Sequence, residues 1–459
     1  MRFADMGTII SVGATLLIFF LIVKTFLNPF IAWRCRRDDR SLEQSALQTI
    51  ECLRPFVFIK LFASCLTIPF FPIYLAHVAG PTAHAVFFAS FAFSLYQIVF
   101  VLALIPSGRL VEIKSLKGLL YVTTALEIFV LGGFFLAQKM IFILVLQVVF
   151  GCLVPLSSAA EYAYVFNLSS LKDRNYAVAL YANTIKAASV AGILSGGFLA
   201  DRMDVRLIFL VAASLVLVAI IYLFFNVPSI KIHNKRIQNA RAGQIGFLFL
   251  FKNMRFFHYD LDFFKTIFCV GLSLGVLEEG IVLFSIPLLC VYYHMTNTHI
   301  GQLLVLFSLG FFITNKVVAR QADKKQIEKR FMKIGLMGIT ITLFLFLGFG
   351  HLSSMPRLIW LAVILLSLGM FRGFLVSPVV AYVSKHPITT TVGQNVSLSM
   401  YRLCETFGRI IGPLLLGYLF SQWKNARAVF FIAGLGLLFL FIFFCMRIIK
   451  PQEITHNEI

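Results

Sequence analysis

The chain has 459 residues, of which 59% are hydrophobic and only 13% charged, with a mean hydropathy of +0.90. No water-soluble fold buries that much apolar surface, so the solvent for most of the chain is lipid. The net charge of +20 then records topology rather than nucleic-acid binding, because Lys and Arg collect in the cytoplasmic loops of membrane proteins.

Apolar stretches of about 20 residues, long enough to cross a bilayer as a helix, recur in chain order. The first, residues 7–29, stands alone. Arg34, Arg36 and Arg37 follow it and no small-residue cleavage site closes it, which predicts an uncleaved anchor with its N-terminus outside. Residues 1–53 are thus expected to hold an anchor helix and a basic cytoplasmic linker. Six spans are expected near 55–79, 84–106, 118–137, 140–164, 176–200 and 206–227, forming an N-terminal bundle over 54–227. Residues 228–262 are a basic linker with an amphipathic stretch suited to an anionic inner leaflet. Six more spans, near 265–291, 297–318, 331–351, 357–382, 396–420 and 428–446, give a C-terminal bundle over 263–447, and 448–459 is a cytoplasmic tail. The expected fold is an all-α membrane protein of about 13 spans.

Loop charge orients it. Arg109, Lys114, Lys117, Lys172, Arg174, Arg320, Lys324, Lys325 and the linker cations fall on one side, and the loops at 80–84 and 292–299 carry no Lys or Arg. The N-terminus is placed outside and the C-terminus in the cytoplasm. Eight cysteines form no Cys-x-x-Cys pair, which argues against a disulfide or metal framework. The sequons at Asn167 and Asn395 face the cytoplasm in this topology and are discounted as glycan sites.

The chain is internally duplicated. Pro72 in Phe71-Pro72-Ile73 is echoed by Pro287 in Ile286-Pro287-Leu288, 215 residues on; Glu112 by Asp323, 211 on; Gly192-x-x-x-Gly196 by Gly408-x-x-x-Gly412, 216 on; and Arg206 by Arg427, 221 on. Two like membrane halves with a seam between them are the layout of a secondary transporter.

The loop from Gly108 to Lys117, with Glu112 between them, resembles the loop that joins the second and third helices of each half in the major facilitator superfamily. Asp323 and Lys324 repeat it in the second half. In such a clamp an acid accepts hydrogen bonds from a helix N-terminus or a base, and glycine lets helices approach. Gly108, Glu112, Lys117, Asp323 and Lys324 are the gating candidates on this resemblance. Here Glu112 stands for the family's Asp, Ile113 for its first Arg and Ser115 for its inner Gly, while Ala319 replaces Gly in the second copy. The better-matching Gly197-Phe198-Leu199-Ala200-Asp201-Arg202 lies after the fifth bundle helix, and Asp201 is expected to be structural. Arg54-Pro55 opening the first bundle helix, Ile300-Gly301-Gln302 and Tyr401-Arg402-x-x-Glu405-x-x-Gly408 are similar to a bacterial subgroup, some of whose members carry extra N-terminal segments. The resemblance implies two pseudo-symmetric six-helix bundles in which helices one, four, seven and ten line a cavity.

A charge at the bilayer centre costs about 2.5–3.5 kcal/mol and needs a partner or water. Lys60, Glu127, Glu161, Lys186, Glu278, Glu279, Arg372, Arg402, Glu405 and Arg409 fall inside apolar spans. Lys186 against Glu278 or Glu279 is expected as a pair between halves, with substrate or coupling duty, and Arg372 as an anion anchor. These four lack counterparts at the repeat offset. Arg402 and Glu405, three apart, are expected to satisfy each other, and Glu127 is offered as a contact for the first span.

The expected function is secondary active transport of a small solute by alternating access, coupled to protons, by a monomer in a bacterial inner membrane. No P-loop and no His-Glu-x-x-His occurs, so neither an ATPase nor an enzyme is expected, and no cofactor or metal. The rival reading is a non-transporting sensor or adaptor on the same scaffold, which predicts mismatched charges.

Overall fold

The computed structural model describes residues 42–80, 84–113, 115–168, 174–227, 260–325, 327–351, 354–389, 394–422 and 426–446. The solitary span at 7–29, nearly all of the linker and the tail lie outside the described residues. Those described are helical. In chain order they form α1 (Leu42–Cys65), α2 (Phe71–Ala79), α3 (Ala85–Ile113), α4 (Leu116–Leu136), α5 (Met140–Leu168), α6 (Arg174–Ala200), α7 (Val205–Asn226) and α8 (Leu261–Gly275). A π-helical stretch, Val276–Ser285, joins α8 to α9 (Ile286–Tyr292). There follow α10 (Asn297–Lys325), α11 (Glu328–Phe344), a 3-10 turn (Leu345–His351), α12 (Ser354–Lys385), α13 (Gln394–Gln422) and α14 (Ala426–Cys445).

Ten helices among the described residues are long and apolar enough to cross a membrane. Two others, α1 and α6, fall outside those ten. Polar side chains explain the second case, since α6 carries Asn183, Thr184, Lys186, Ser189 and Ser195. Outward-facing apolar groups complete the membrane surface: Phe129 on α4 is 74% exposed and Phe225 on α7 76%, tolerable in lipid and costly in water. This is an integral, multi-pass membrane protein.

Proline sets the shape of one helix in each repeat. The chain breaks after Cys65, and Pro72 sits in the first turn of α2, where its missing N–H costs nothing. Pro287 likewise sits in the first turn of α9, but here the preceding ladder widens into the π stretch instead of breaking. The Ser285 hydroxyl donates to the Gly280 carbonyl five residues back at 2.7 Å, as that wider ladder allows. An extra proline, Pro69, distinguishes the copy that breaks. Gly80, at φ +83°, ends α2 in a conformation other residues avoid.

The expected start at Arg54-Pro55 is corrected: α1 begins at Leu42 and Pro55 lies within it. Its ring removes one N–H from the ladder without ending the helix.

By contact density the described parts of Met1–Gln244, Glu279–Ser308 and Pro413–Lys424 form one compact unit, and those of Ile245–Glu278, Leu309–Gly412 and Asn425–Ile459 a second. Parts of the second repeat thus pack with the first. The first unit holds an aromatic core of Phe70, Tyr74, Phe134 and Phe209, where the Tyr74 hydroxyl donates to the Phe134 carbonyl at 2.7 Å. In the second unit Phe346 stacks on Phe430 at 4.1 Å between ring centres.

Small residues seat equivalent helices in each repeat. A Cβ on Gly192 would meet Cys65 Cβ at 2.6 Å, and one on Gly196 would collide with the Leu66 carbonyl. In the second unit Gly408 lies against the Leu272 carbonyl and Gly275, and Gly275 in turn against the Glu405 carbonyl. The small-residue face expected on α6 is therefore real, and it brings the end of α1 against α6, and α8 against α13.

Candidate functional site

Most of the described membrane charges gather into two clusters. In the first unit, Lys60 Nζ lies 2.7 Å from Glu161 Oε1, linking α1 to α5. Lys60 also donates to Ser157 Oγ. Ser157 donates to Glu161 Oε1 at 3.0 Å, and the Tyr181 hydroxyl of α6 donates to Glu161 Oε2 at 2.7 Å. Both carboxylate oxygens thus have donors. The ion pair is desolvated, with side-chain exposures of 12% for Lys60 and 7% for Glu161. On α4, Glu127 is buried and lies 2.6 Å from the Ser64 hydroxyl.

In the second unit Glu278 bridges two arginines. Arg372 Nη2 of α12 donates to Oε1 at 2.7 Å, and Arg409 Nη2 of α13 to Oε2 at 3.0 Å. Arg409 also donates to Glu405 Oε1 at 2.7 Å, and the Arg372 guanidinium lies over the Phe311 ring at 4.8 Å. Two cations and two carboxylates form a balanced cluster of charge-assisted bonds.

These pairs are the same construction with the signs exchanged. Glu278 follows Lys60 by 218 residues and Arg372 follows Glu161 by 211, inside the spread of the loop landmarks. Glu278 and Arg372 therefore do have repeat counterparts, contrary to the sequence-based expectation, which looked for like residues. The signal lay in position, not in residue type.

Other expected pairings change partner. Glu405 binds Arg409, one turn on, and not Arg402, whose side chain is exposed. Glu278 goes to the two arginines. Its neighbour Glu279, in the first unit, accepts from Gln97 Nε2 at 2.8 Å. The two adjacent glutamates thus take different partners, as their angular offset on a helix requires. Lys186 lies on α6 with an exposed side chain. Glu127 meets Ser64 of α1; the first span, for which it was offered as a contact, lies outside the described residues.

The gating residues divide. Gly108 lies inside α3, exposed, and among the described residues nothing stands within 4 Å of a Cβ built there. Ser115 accepts from the Gly118 N–H at 3.0 Å and caps α4. Lys117 Nζ donates to the Phe224 carbonyl at 3.2 Å, a cation at the C-terminal turn of α7. The side chains of Glu112, Asp323 and Lys324 lie outside the described residues.

Asp201, after α6, caps α10. Its Oδ1 accepts from the Asn297 N–H at 2.7 Å and its Oδ2 from the Thr298 N–H at 2.8 Å. Gly197 and Gly301 bring the two helices together: a Cβ on Gly197 would stand 3.1 Å from Gly301 Cα. Partial desolvation pushes the Asp201 carboxyl up, but the bonds from Thr298 and Asn297 together outweigh it and hold the carboxyl below its ordinary value.

Duplicated apolar helices, helices broken or widened before Pro72 and Pro287, and buried charges paired at equivalent positions define a helical membrane transporter. The family model of the Major Facilitator Superfamily matches residues 56–400, and the chain belongs to that family. It is 22% identical over 377 residues to the "Multi-drug resistance efflux pump PmrA homolog" of Lactococcus lactis subsp. lactis (strain IL1403), covering 81% of this chain and 87% of that protein. It is 25% identical over 193 residues to "Multidrug resistance protein 1" of Bacillus subtilis (strain 168), 42% of this chain; that match spans about half (47%) of the relative's length. The nucleoside transporter NupG has the same fold, with a TM-score of 0.69 at 11% identity over 86% of this chain and 98% of that one.

Proposed function

We propose that the protein is a proton-coupled secondary transporter that moves a small solute by alternating access. It acts as a monomer in a bacterial inner membrane, with its N-terminus outside and its C-terminus in the cytoplasm. The observation that carries this reading is the sign-exchanged pair of buried ion pairs, Lys60–Glu161 and Arg372–Glu278, on helices equivalent to one, four, seven and ten of the family. Residues that merely stabilised a bundle would gain as much from apolar packing. Matched charges also weigh against the sensor reading, which expects mismatch.

Arg372 is the anchor for a negatively charged or strongly polar group of the solute, with Glu278 exchanging partners as the solute arrives. Lys186 and Glu279 remain the candidates for coupling the two halves. The names of the curated relatives support an organic solute.

The test uses proteoliposomes with an imposed pH gradient and an internal pH dye. A panel of organic cations, carboxylates and nucleosides is added, and proton flux is followed. Wild type should move protons on addition of at least one class, Glu278→Gln should lose the response and Glu279→Gln should retain part of it. No response to any class, or equal mild effects of the two variants, would reject the assignment.

A further inference from the structure

Glu127 is buried deep among α1, α4 and α5, and its partner makes its protonation state readable. Ser64 Oγ lies 2.6 Å from Glu127 Oε1 and 3.2 Å from the Lys60 carbonyl oxygen. A serine hydroxyl carries one proton and can donate to only one of these. If Glu127 is ionised, Ser64 donates to it and the 3.2 Å contact with the Lys60 carbonyl is no hydrogen bond. If Glu127 is protonated, its hydroxyl donates to Ser64 Oγ, Ser64 donates to the Lys60 carbonyl, and both contacts become hydrogen bonds.

Charge counting agrees. The Lys60 ammonium already has a direct partner in Glu161, whose oxygens accept from Lys60, Ser157 and Tyr181. Glu161 is thus matched by a cation. Glu127 has that same ammonium as its charged neighbour, and one cation for two buried carboxylates leaves a negative charge in surplus. Among the described residues, the other titratable groups place no buried cation beside Glu127. On α7 Arg206 and Tyr222 stand near the two ends, Tyr222 donating to the Cys52 carbonyl at 3.2 Å. On α4 Lys117 is spent on the Phe224 carbonyl. On α1 Arg54 donates to Thr184 at 3.0 Å. On α6 the exposed Lys186 side chain acts on Cys65. The α5 groups Cys152, Tyr162 and Tyr164, and Tyr121 on α4, bring no positive charge.

Resting on the proton-coupled reading above, we infer that Glu127 is a proton-binding site of this transporter, with Ser64 as its hydrogen-bond relay and the Lys60–Glu161 pair as its release switch. Binding forms one O–H bond on Glu127 from a water-borne proton and leaves the cluster neutral. Separating Lys60 from Glu161 presents an unmatched ammonium to Glu127, favours its anion and returns the proton to water.

Infrared difference spectroscopy of the full chain in liposomes, titrated in light and heavy water, reads that proton without any solute. Wild type should show a protonated-carboxyl stretch that Glu127→Gln removes and Glu127→Asp moves without erasing. Ser64→Ala should lower the proton affinity of the site about tenfold, one unit on the titration axis. A wild-type spectrum unchanged by Glu127→Gln, with Glu127→Asp folded and equally silent, would overturn the inference. The two readings fail separately: the band without gradient-driven transport would reject the coupling and keep the site, and coupled transport without the band would reject the site alone.

Discussion

Arg372 meets Glu278 at 2.7 Å, the separation at which Lys60 meets Glu161, and the two pairs occupy equivalent places in the repeats with cation and anion exchanged. Duplication conserves where helices touch before it conserves what touches there. A buried contact that must be ionic can be filled in either polarity, provided both members change together. Two halves of opposite polarity then present unlike chemistry from like architecture.

Desolvation makes the first pair costly to break. Lys60→Met leaves Glu161 buried and charged, and should destabilise the protein by about 3–5 kcal/mol. Glu161 keeps Tyr181 and Ser157 as donors, so Lys60→Met combined with Glu161→Gln should recover most of the loss. Reversible unfolding in mixed detergent micelles reads both. A double variant as unstable as Lys60→Met would show that the pair is not what the stability measures.

Much of this was legible in the sequence, and the failures share a cause. Spans, Pro72 with Pro287 and the glycines of α6 and α13 follow from local rules, because lipid forces helices and prolines punctuate them. Partners did not follow. Arg402 and Arg409 are each within one turn of Glu405, and only tertiary packing, with Glu278 on Arg409, decides between them. Glu127 was readable as a costly membrane charge, but Ser64, its partner on another helix, carried no signal of its own. Gly108 differs again: the family pattern gives it a role in a loop, and the structure places it inside α3.

The Glu405 pairing separates two neighbouring arginines. Arg402→Ala removes an exposed side chain and should change stability by no more than about 0.5 kcal/mol. Arg409→Ala strips Glu405 and one oxygen of Glu278 of charged donors and should cost about 1.5–3 kcal/mol. The same unfolding assay decides the matter, and a larger effect at Arg402 would restore the pairing that spacing alone suggests.

Asp201 makes one helix start sensitive to acid. Its carboxyl is held below the ordinary value, so its contribution is present above the unfolded pKa and is lost as pH falls through the folded one. Asp201→Ala should cost about 0.5–2 kcal/mol at neutral pH, the usual worth of an N-cap, and Asp201→Asn much less. The wild-type advantage over Asp201→Ala should stay flat from pH 7 down to about pH 4 and shrink below it. Melting temperatures across that range test the sign, and a difference growing towards acid would contradict the cap.

Glycines that look alike in the sequence should respond oppositely to the same methyl group. At Gly196 a Cβ would run into the Leu66 carbonyl, and at Gly275 into that of Glu405. Neither obstacle is a flexible side chain, so α1 and α6, or α8 and α13, must part to admit it. Overpacking of this kind costs about 1–3 kcal/mol. Gly108 faces open space within α3, where alanine removes backbone freedom from the unfolded chain and should stabilise by about 0.5–1 kcal/mol. Melting of Gly196→Ala, Gly275→Ala and Gly108→Ala side by side gives the ordering. Should Gly108→Ala prove as damaging as the other two, glycine at that position would be packed against something after all, and the clamp expected from the family pattern would be the natural candidate.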